Sequence, residues 1–417
     1  MVSEELRSYK GWVELESEPK FFQAMLHEMG APDLKIIELF SLDDNSLDAL
    51  SKPVYGLIFL FPYDSSAQQN AEERQDCPQE LWFANQTISN NCATVALMNI
   101  AMNIPDATYG PELQQFKDQT ASLSYFGRGN AIDHNEFIRC IHNSVARRTQ
   151  LLNEDLAWKN QAEAAERATR SKRAIKAPKG RGKVRIPVTA ASNQASITRK
   201  KNQLANAAMH YIAFVPHAGK VWEFDGLEDK PLCLGPHGGE SDDWVKTAVE
   251  TIQVRMAAGI FSTNFNLLAV CTTPLQSLED RLVQSLAAAQ TLEQGYRADD
   301  RSWPHPPIST LFPPEKLERL NHLTWEMAAN VGPTEAFLEK MSQPGFGREQ
   351  AALLMAELIV EQNDLEAALA AEIDSHQSAR TEYESRQRDF TPFIHQFLLA
   401  LAETGQLEET LNNFVET

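Results

Sequence analysis

The chain is organised around residues 82–99, which read WFANQTISNNCATVALMN. A polar segment leads there into small and apolar residues, so we expect a buried helix that starts near Cys92 and is capped by Ser89, Asn90 or Asn91. A thiol in the first turn of a helix faces unpaired backbone N–H groups and the positive end of the helix dipole, which favour the reactive thiolate. A free cysteine is also often a small residue of the core. The stretch by itself leaves both interpretations of Cys92 open.

Length and composition limit the class of protein. At 417 residues the chain is long enough for two or more domains with substantial cores. Its first residues include early acids and no apolar run, so we expect no secretory signal. The longest apolar run, YGLIFLF at residues 55–61, is too short to span a bilayer and predicts a buried strand. The five cysteines form no Cys-x-x-Cys pair and are odd in number, which argues against a disulfide framework and against a zinc site. They favour a reducing compartment, the cytoplasm or the nucleus, and with the short apolar run we expect no membrane partner.

Charge is distributed unevenly along the chain. The formal net charge is −19, but residues 167–201 contain twelve Lys and Arg and no Asp or Glu, so the remaining residues carry −31. The acidic body favours a basic partner, and the basic segment favours an acidic one. An acidic surface also keeps a protein in solution, so the charge supports a basic partner without establishing it.

Residues 10–273 mix helical and strand patterns. Strands are expected at 36–39, 54–61, 210–215, 221–224 and 266–271, and helices at 18–29, 111–126 and 136–148. This mixture predicts a catalytic-type domain of helices and strands. Within it, residues 153–206 contain Pro, Gly and many charges without periodicity, which predicts a long loop inserted between a helix and a strand.

Residues 276–417 predict a helical extension. Helices are expected at 277–294 and at 348–389, and the second carries Leu and Ile on the narrow stripe typical of a helix that pairs with another helix. Residues 299–314 are rich in Pro and predict a linker or an irregular packing arm. A last apolar helix at 393–407 contains Gly405, which is suited to ending it.

A cysteine nucleophile needs a base, and the base needs an orienting group. Residues 210–225, HYIAFVPHAGKVWEFD, predict an antiparallel hairpin with its turn in the PHAG segment. A turn centred between His217 and Ala218 would place His210 opposite Asp225, with Cβ atoms about 5 Å apart and a hydrogen bond within reach. The pair favours catalysis, and a buried His–Asp pair with a structural role is the alternative.

Gln86 is the candidate donor to an oxyanion. Attack on an acyl carbon builds negative charge on oxygen, and that charge needs fixed hydrogen-bond donors. The side-chain amide of Gln86 and the backbone N–H of Cys92 can supply two. The alternative is a loop residue that caps a turn.

The order Gln86, Cys92, His210, Asp225 resembles that of the ubiquitin carboxyl-terminal hydrolases, papain-like cysteine proteases that remove ubiquitin. Further segments resemble the family in order and spacing: GWVELESEPKFF (11–22), PVYGLIFLF (53–61), FANQTISNNCAT (83–94), HYIAFVPHAGKVWEFDGL (210–227), DDWV (242–245) and FNLLAV (265–270). The resemblance covers about residues 10–273, which are therefore expected to form the catalytic domain.

This resemblance implies an α+β fold, with a central antiparallel sheet flanked by helices and an all-helical C-terminal extension. It implies Cys92 as the nucleophile, His210 as general base and acid, Asp225 as the residue that orients His210, and Gln86 as the oxyanion donor. It implies no metal or organic cofactor. Ubiquitin and ubiquitin conjugates are the implied partners, and the basic binding face of ubiquitin suits the acidic body.

The sequence DFTPFIHQFLLALAETGQL at 389–407 resembles the tail domain of two long members of the family. One is the proteasome-associated hydrolase, and the other is the BRCA-associated histone deubiquitinase of chromatin. The resemblance implies a tail domain at about 385–417 that binds an adaptor-domain protein, either a proteasomal ubiquitin receptor or a Polycomb-type adaptor. No basic run follows up to Thr417, which favours the proteasomal member. The alternative is an ordinary helical hairpin packed on its own chain.

The basic segment at 167–201 departs from the proteasomal pattern in length and charge. In the family the corresponding loop crosses the active site, so a longer loop should admit bulkier leaving groups. The segment is also suited to nucleic-acid or nucleosome contact, or to nuclear targeting, and a solvated disordered insertion is the alternative. The sequence favours the proteasomal role over a chromatin role. A non-catalytic ubiquitin-binding scaffold is less favoured, because all four site positions hold residues that are competent for catalysis. A protease for ordinary peptides is less favoured because of the tail and the acidic body.

Overall fold

A computed structural model of the chain describes residues 8–62, 73–146, 150, 209–238, 243–257, 265–296, 303–386, 388 and 390–407. The chain divides into two compact units: residues up to Thr272 together with those from Glu382 onward form the first, and Thr273–Thr381 form the second. The predictions for the inserted loop at 153–206 and for its basic segment lie outside the described residues, as do residues 408–417 of the predicted tail domain.

A six-stranded antiparallel sheet lies at the centre of the first unit. Its strands are β1 (Leu34–Glu38), β2 (Val54–Pro62), β3 (Met209–His217), β4 (Lys220–Phe224), β5 (Leu232–Pro236) and β6 (Asn266–Thr272). Their order across the sheet is β1-β6-β2-β3-β4-β5, and every neighbouring pair is antiparallel. The predicted α+β fold with a central antiparallel sheet is confirmed, and β5 is a strand that the sequence did not predict.

The central strand β2 is buried on both faces of the sheet. Ile58 and Leu60 belong to one core cluster, and Leu57, Phe59 and Phe61 belong to the other. Strands β3 and β6 alternate between the two clusters in the same way. Successive side chains of a strand point to opposite faces, so a strand covered on both sides needs an apolar residue at nearly every position. This explains the continuous apolar run at the centre of the sequence.

Helices cover both faces of the sheet. They are α1 (Pro19–Glu28), α2 (Asp44–Asp48), α3 (Cys92–Ala101), α4 (Pro111–Thr120), α5 (Tyr125–His134), α6 (Glu136–Ser144) and α7 (Asp243–Ala257). Residues of α1 and α3–α6 join one core cluster, and residues of α2 and α7 join the other. The single helix predicted over 111–126 is in fact two, because Ser124 accepts the Gly127 N–H and so caps a new helix.

In the part of the chain that the structure describes, the second unit contains helices only. They are α8 (Leu275–Tyr296), α9 (Ile308–Leu311), α10 (Pro314–Arg319), α11 (Trp325–Val331), α12 (Glu335–Met341) and most of α13 (Arg348–Arg386). Trp303, Ile308 and Phe312 of the Pro-rich stretch are buried in the core of this unit. The described part of that stretch is therefore a packing arm rather than an exposed linker.

The last described helix is α14 (Thr391–Glu403). Gly405 follows it with a φ of 72°, the left-handed conformation that commonly ends a helix, as the sequence predicted. None of the helices within the described ranges is long and apolar enough to cross a membrane.

Candidate active site

Cys92 is the first residue of α3, where the sequence predicted a helix to begin, and its side chain is partly buried. Asn91 occupies the N-cap position, and its carbonyl accepts the Val95 N–H at 2.9 Å. The Asn91 side chain makes no capping hydrogen bond. The thiol therefore lies in a first helical turn whose N-cap side chain points elsewhere.

His210 and Asp225 form a direct hydrogen bond. Nε2 of His210 lies 2.7 Å from Oδ1 of Asp225, and the two residues are only 3% and 8% exposed. The Leu227 N–H donates to the same carboxylate oxygen at 2.9 Å. Hydrogen bonding with the Cys92 thiol is a further interaction of the His210 side chain, and it raises the pKa of His210.

The hairpin that carries this pair differs in register from the predicted one. His217 pairs with Lys220, because the turn consists of residues 218–219 alone, both with positive φ. Such a two-residue turn matches the right-handed twist of the strands it joins. The prediction that His210 lies directly opposite Asp225 is therefore wrong by two residues. The side chains still meet, because a shift of two keeps them on one face, where diagonal neighbours are within reach of an imidazole.

The electrostatics of the pair favour a protonated imidazole. Burial opposes the charge on His210, but the Asp225 carboxylate and hydrogen bonding to Asp225 and Cys92 outweigh burial and raise the pKa of His210 above its usual value. Burial also opposes the charge on Asp225, but His210, the Leu227 N–H and the Arg74 guanidinium keep the pKa of that carboxyl below its usual value. An imidazolium beside a cysteine is the arrangement that stabilises a thiolate nucleophile.

Arg74 is a supporting residue that the sequence did not reveal. Its Nη2 lies 3.1 Å from Oε1 of Glu223, which is 2% exposed and also pairs with Arg255. The Arg74 charge favours the ionised form of Asp225. Arg74 is far from Asp225 in the sequence and belongs to no short motif, so only the folded chain brings the two together.

Gln86 lies between the segment after Asp225 and helix α3. Its backbone N–H donates to the Gly226 carbonyl at 2.7 Å, and a Cβ at Gly226 would lie 3.1 Å from both Gln86 Cβ and Val95 Cγ1. Gly226 therefore allows this close approach. The Gln86 side chain donates from Nε2 to the Ile88 carbonyl at 2.9 Å, while its Oε1 is buried and has no hydrogen-bond partner among the described residues. The second N–H of this amide is the candidate donor to an oxyanion.

Helix α5 holds the segment that precedes the nucleophile. Nη1 of Arg128 donates to the carbonyls of Leu81 and Phe83, at 3.5 and 3.4 Å. A Cβ at Gly129 would lie 2.0 Å from the Asn85 carbonyl oxygen, so only glycine permits this contact. These contacts fix the backbone that leads to Gln86 and Cys92.

A buried polar chain connects α3 to the N-terminal segment. His142 donates from Nε2 to the Val13 carbonyl at 2.7 Å, and its Nδ1 lies 2.6 Å from the Thr94 hydroxyl. Burial lowers the pKa of His142 to about 4. The neutral imidazole, protonated on Nε2, accepts the Thr94 hydroxyl and satisfies both bonds.

The four residues predicted from the sequence converge around the start of α3. Cys92, His210 and Asp225 form a continuous series, and Gln86 approaches α3 through Gly226. A thiol, a base with its orienting acid, and amide donors together can attack an acyl carbon and stabilise the resulting oxyanion. Within the described residues, no group of three or more His, Cys, Asp or Glu is placed to hold a metal ion.

Comparison with known proteins assigns the chain to a family. Residues 12–257 match ubiquitin carboxyl-terminal hydrolase, family 1. The chain is 30% identical to ubiquitin carboxyl-terminal hydrolase isozyme L5 of Dictyostelium discoideum over 275 residues. The aligned region covers 66% of this chain and 66% of that protein. It is also 30% identical to ubiquitin carboxyl-terminal hydrolase ubh-4 of Caenorhabditis elegans over 288 residues. That aligned region covers 68% of this chain and 73% of that protein.

Among solved structures, the catalytic domain of Trichinella spiralis UCH37 bound to ubiquitin vinyl methyl ester is similar at 28% identity with a TM-score of 0.44. The similarity covers 63% of this chain and 96% of that one. The family match itself covers more than half of the present chain. The chain therefore belongs to ubiquitin carboxyl-terminal hydrolase family 1, a family of cysteine-type ubiquitin hydrolases.

Proposed function

We propose that the chain is a thiol-dependent deubiquitinase that hydrolyses the bond after the C-terminal glycine of ubiquitin in conjugates. The observation that carries the proposal is the series from Cys92 through His210 to Asp225, with Nε2 and Oδ1 2.7 Å apart. The family membership supplies the substrate. A non-catalytic ubiquitin-binding scaffold would not need Cys92, His210 and Asp225 to be aligned. A protease for ordinary peptides is a weaker fit to the family membership.

The first half of the reaction forms a thioester. His210 takes the thiol proton of Cys92, and the thiolate attacks the carbonyl carbon of the terminal glycine of ubiquitin. The Gln86 amide and the Cys92 backbone N–H stabilise the charge that develops on oxygen. The carbon–nitrogen bond then breaks, and His210 gives its proton to the leaving amine. Asp225 stabilises the imidazolium while it holds that proton.

The second half of the reaction releases ubiquitin. His210 takes a proton from water, and the water oxygen attacks the thioester carbon. The carbon–sulfur bond breaks, so ubiquitin leaves with a free C-terminal carboxyl group. Cys92 returns as a thiolate beside the imidazolium, which restores the starting arrangement.

Helix α14 supports the second part of the proposal, that an adaptor-domain protein binds the tail and activates the enzyme. Phe393, Ile394 and Phe397 are 69%, 52% and 54% exposed, and the two phenylalanine rings stack with centroids 6.4 Å apart. A contiguous exposed apolar face of this kind is typical of a helix that docks on a partner.

The occupant that we propose for this face is the adaptor domain of a proteasomal ubiquitin receptor. The alternative is a Polycomb-type adaptor, which would go with a ubiquitinated histone of chromatin as substrate. The cytoplasmic and nuclear location, and contact of residues 167–201 with nucleic acid or the nucleosome, stay predictions.

A ubiquitin-derived electrophilic probe followed by peptide mapping tests the catalytic proposal. We expect the probe to label Cys92. Cys92→Ala should lower hydrolysis of a ubiquitin–fluorophore conjugate by at least about 10⁴-fold, because the nucleophile is lost, while ubiquitin binding is retained.

Cys233→Ala is the matched control, since Cys233 is also partly buried, and it should keep both the label and the activity. Labelling at a cysteine other than Cys92, or continued turnover by Cys92→Ala, would overturn the mechanism.

A further inference from the structure

The side chain of Asn91 points away from the helix that it begins. Its Nδ2 donates to Oδ1 of Asp133, on α5, at 2.6 Å. Asn91 is fully buried and Asp133 is 5% exposed. An asparagine at an N-cap ordinarily accepts an N–H from the first turn of its helix, but Asn91 makes no such bond. The interaction with Asp133 therefore replaces helix capping.

The remaining atoms of this pair are both acceptors without a donor. Oδ1 of Asn91 and Oδ2 of Asp133 are buried, and neither has a hydrogen-bond partner within the described residues. A buried acceptor without a donor is costly. An ionised carboxylate cannot relieve the cost, because it only accepts, whereas a protonated carboxyl supplies one O–H donor.

We propose that Asp133 is a positioning residue: as a neutral carboxylic acid it donates from Oδ2 to Asn91 Oδ1, closes a ring of two hydrogen bonds, and keeps the Asn91 side chain off the first turn of α3. The inference rests on the proposed role of Cys92 as nucleophile. Burial supports it, because burial raises the pKa of Asp133 to about 7 although His134 and the Asn91 hydrogen bond both favour the ionised form.

The first-turn N–H groups of α3 explain why this arrangement serves catalysis. Without a capping side chain, they stabilise a thiolate at Cys92. A capping side chain would accept the N–H of Ala93 or Thr94 and so weaken that stabilisation. Asp133 prevents capping by holding the side-chain amide of Asn91. Loss of Asp133 should therefore release Asn91 to cap α3.

Removal of both partners gives the sharpest test. Asp133→Ala should lower kcat on a ubiquitin–fluorophore conjugate about fivefold, equivalent to about 1 kcal/mol, because the released Asn91 caps α3. The double variant Asn91→Ala/Asp133→Ala should recover to within about twofold of wild type, because no side chain remains to cap the helix. A purely structural Asp133 predicts instead that the double variant is at least as impaired as the single one. That result, or full activity of Asp133→Ala, would overturn the inference.

Asp133→Asn keeps the test decisive even where the alanine variants fold poorly. An asparagine at 133 can form the same ring with Asn91 but cannot ionise, so its kcat near pH 6.5 should lie within about twofold of wild type. Above pH 7 the wild-type kcat should fall relative to that of Asp133→Asn, as the acid loses its proton. Identical pH profiles of the two enzymes would contradict a neutral Asp133.

His134, on α5, is a further ionisable group whose charge acts on Asp133, and the comparison of these two enzymes cancels its contribution. The ubiquitin probe separates the two proposals. Failure to label wild-type Cys92 would refute the catalytic proposal, whereas labelled Cys92 with unaltered Asp133 variants would refute this inference alone.

Discussion

Helices α3 and α14 are both short and apolar, yet they have opposite surroundings. All nine residues of α3 after Cys92 are buried, against the sheet on strands β2 and β3. In α14 the side chains of residues 392–400 are exposed, including Phe393 and Phe397. Apolar composition therefore does not distinguish a core helix from an exposed one. What distinguishes them is whether neighbouring elements of the same chain cover the apolar face.

The polar residues of the two helices show the same contrast. In α3, Thr94 contacts His142, and Oδ1 of Asn99 accepts the Ala84 N–H at 2.8 Å. In α14, His395 and Gln396 are exposed. A buried helix needs a partner for every polar group, so α3 is held in one position and can fix a nucleophile. An exposed helix has no such requirement and can present its surface to a partner.

After loss of the nucleophile itself, the largest effect is expected at Gln86, which precedes the start of α3. Gln86→Ala should lower kcat about 10²- to 10³-fold with little change in KM, because the oxyanion loses a fixed donor. Steady-state kinetics on a ubiquitin–fluorophore conjugate measure this change. Gln115→Ala, at an exposed position of α4, is the control and should match wild type. A loss below tenfold would favour the alternative that Gln86 only caps a turn.

Leucine-to-alanine substitutions in the two helices compare their burial directly. Leu97→Ala in α3 should lower the free energy of unfolding by about 2–5 kcal/mol, because it opens a cavity in a fully buried site. Leu398→Ala in α14, at a position 43% exposed, should change it by less than about 0.5 kcal/mol. Denaturant titration of each full-length variant measures both values. Similar losses at the two positions would show that α14 is covered in solution.

The exposed face of α14 should matter for the partner rather than for stability. Phe393→Ala/Phe397→Ala should weaken binding of the adaptor domain by about tenfold or more, because central aromatic side chains carry much of the energy of an interface. Isothermal titration calorimetry with the full chain measures the affinity. Phe126→Ala, on α5 at 62% exposure, is the matched control. Equal affinities of the two variants would exclude this face of α14 as the docking surface.

The smallest effect is expected from the pH dependence of His142. Its pKa of about 4 in the folded chain lies below the usual value of 6.5, so the unfolded chain binds the proton more readily. Stability from the neutral His142 is therefore present above pH 6.5 and is lost as the pH falls toward 4. Between pH 7.5 and 5.5 the stability difference between wild type and His142→Gln should shrink by about 1 kcal/mol.

Thermal and denaturant unfolding at several pH values measure this difference. The comparison with His142→Gln is needed because Asp133 titrates in the same range with the opposite sign, its pKa being raised. Gln396→Ala, at an exposed position of α14, is the control and should leave the pH dependence of stability unchanged. A constant difference between wild type and His142→Gln would show that His142 is protonated in the folded protein at acidic pH.

The sequence carried enough information to predict the class of fold and the identity of the candidate site residues. The run at 55–61 predicts a buried strand, and its lack of alternation is explained by the structure, in which both faces of the strand are covered. The polar-to-apolar change at Cys92 predicts a helix start because first-turn N–H groups favour particular residues. Both patterns are local, so they can be recognised from neighbouring residues without knowledge of the rest of the molecule.

Contacts between distant segments were not predictable in the same way. The register of the His210 hairpin depends on a two-residue turn rather than a longer one, and β5 has few residues to mark it as a strand. The ties from Arg74 to the Asp225 region and from Asp133 to Asn91 join segments far apart in the chain. No spacing rule relates such pairs, because their proximity is set by how whole elements pack.

The sequence by itself therefore determined which groups are candidates to react: a thiol at a helix start, a histidine and an aspartate on one hairpin, and an amide before that thiol. Only the tertiary structure decided how these groups are charged and held. It buries His210 and Asp225 together, turns Asn91 toward Asp133 and leaves the apolar face of α14 exposed. The physical reason is that reactivity depends on burial and on partners, and both are properties of packed elements rather than of neighbouring residues in the chain.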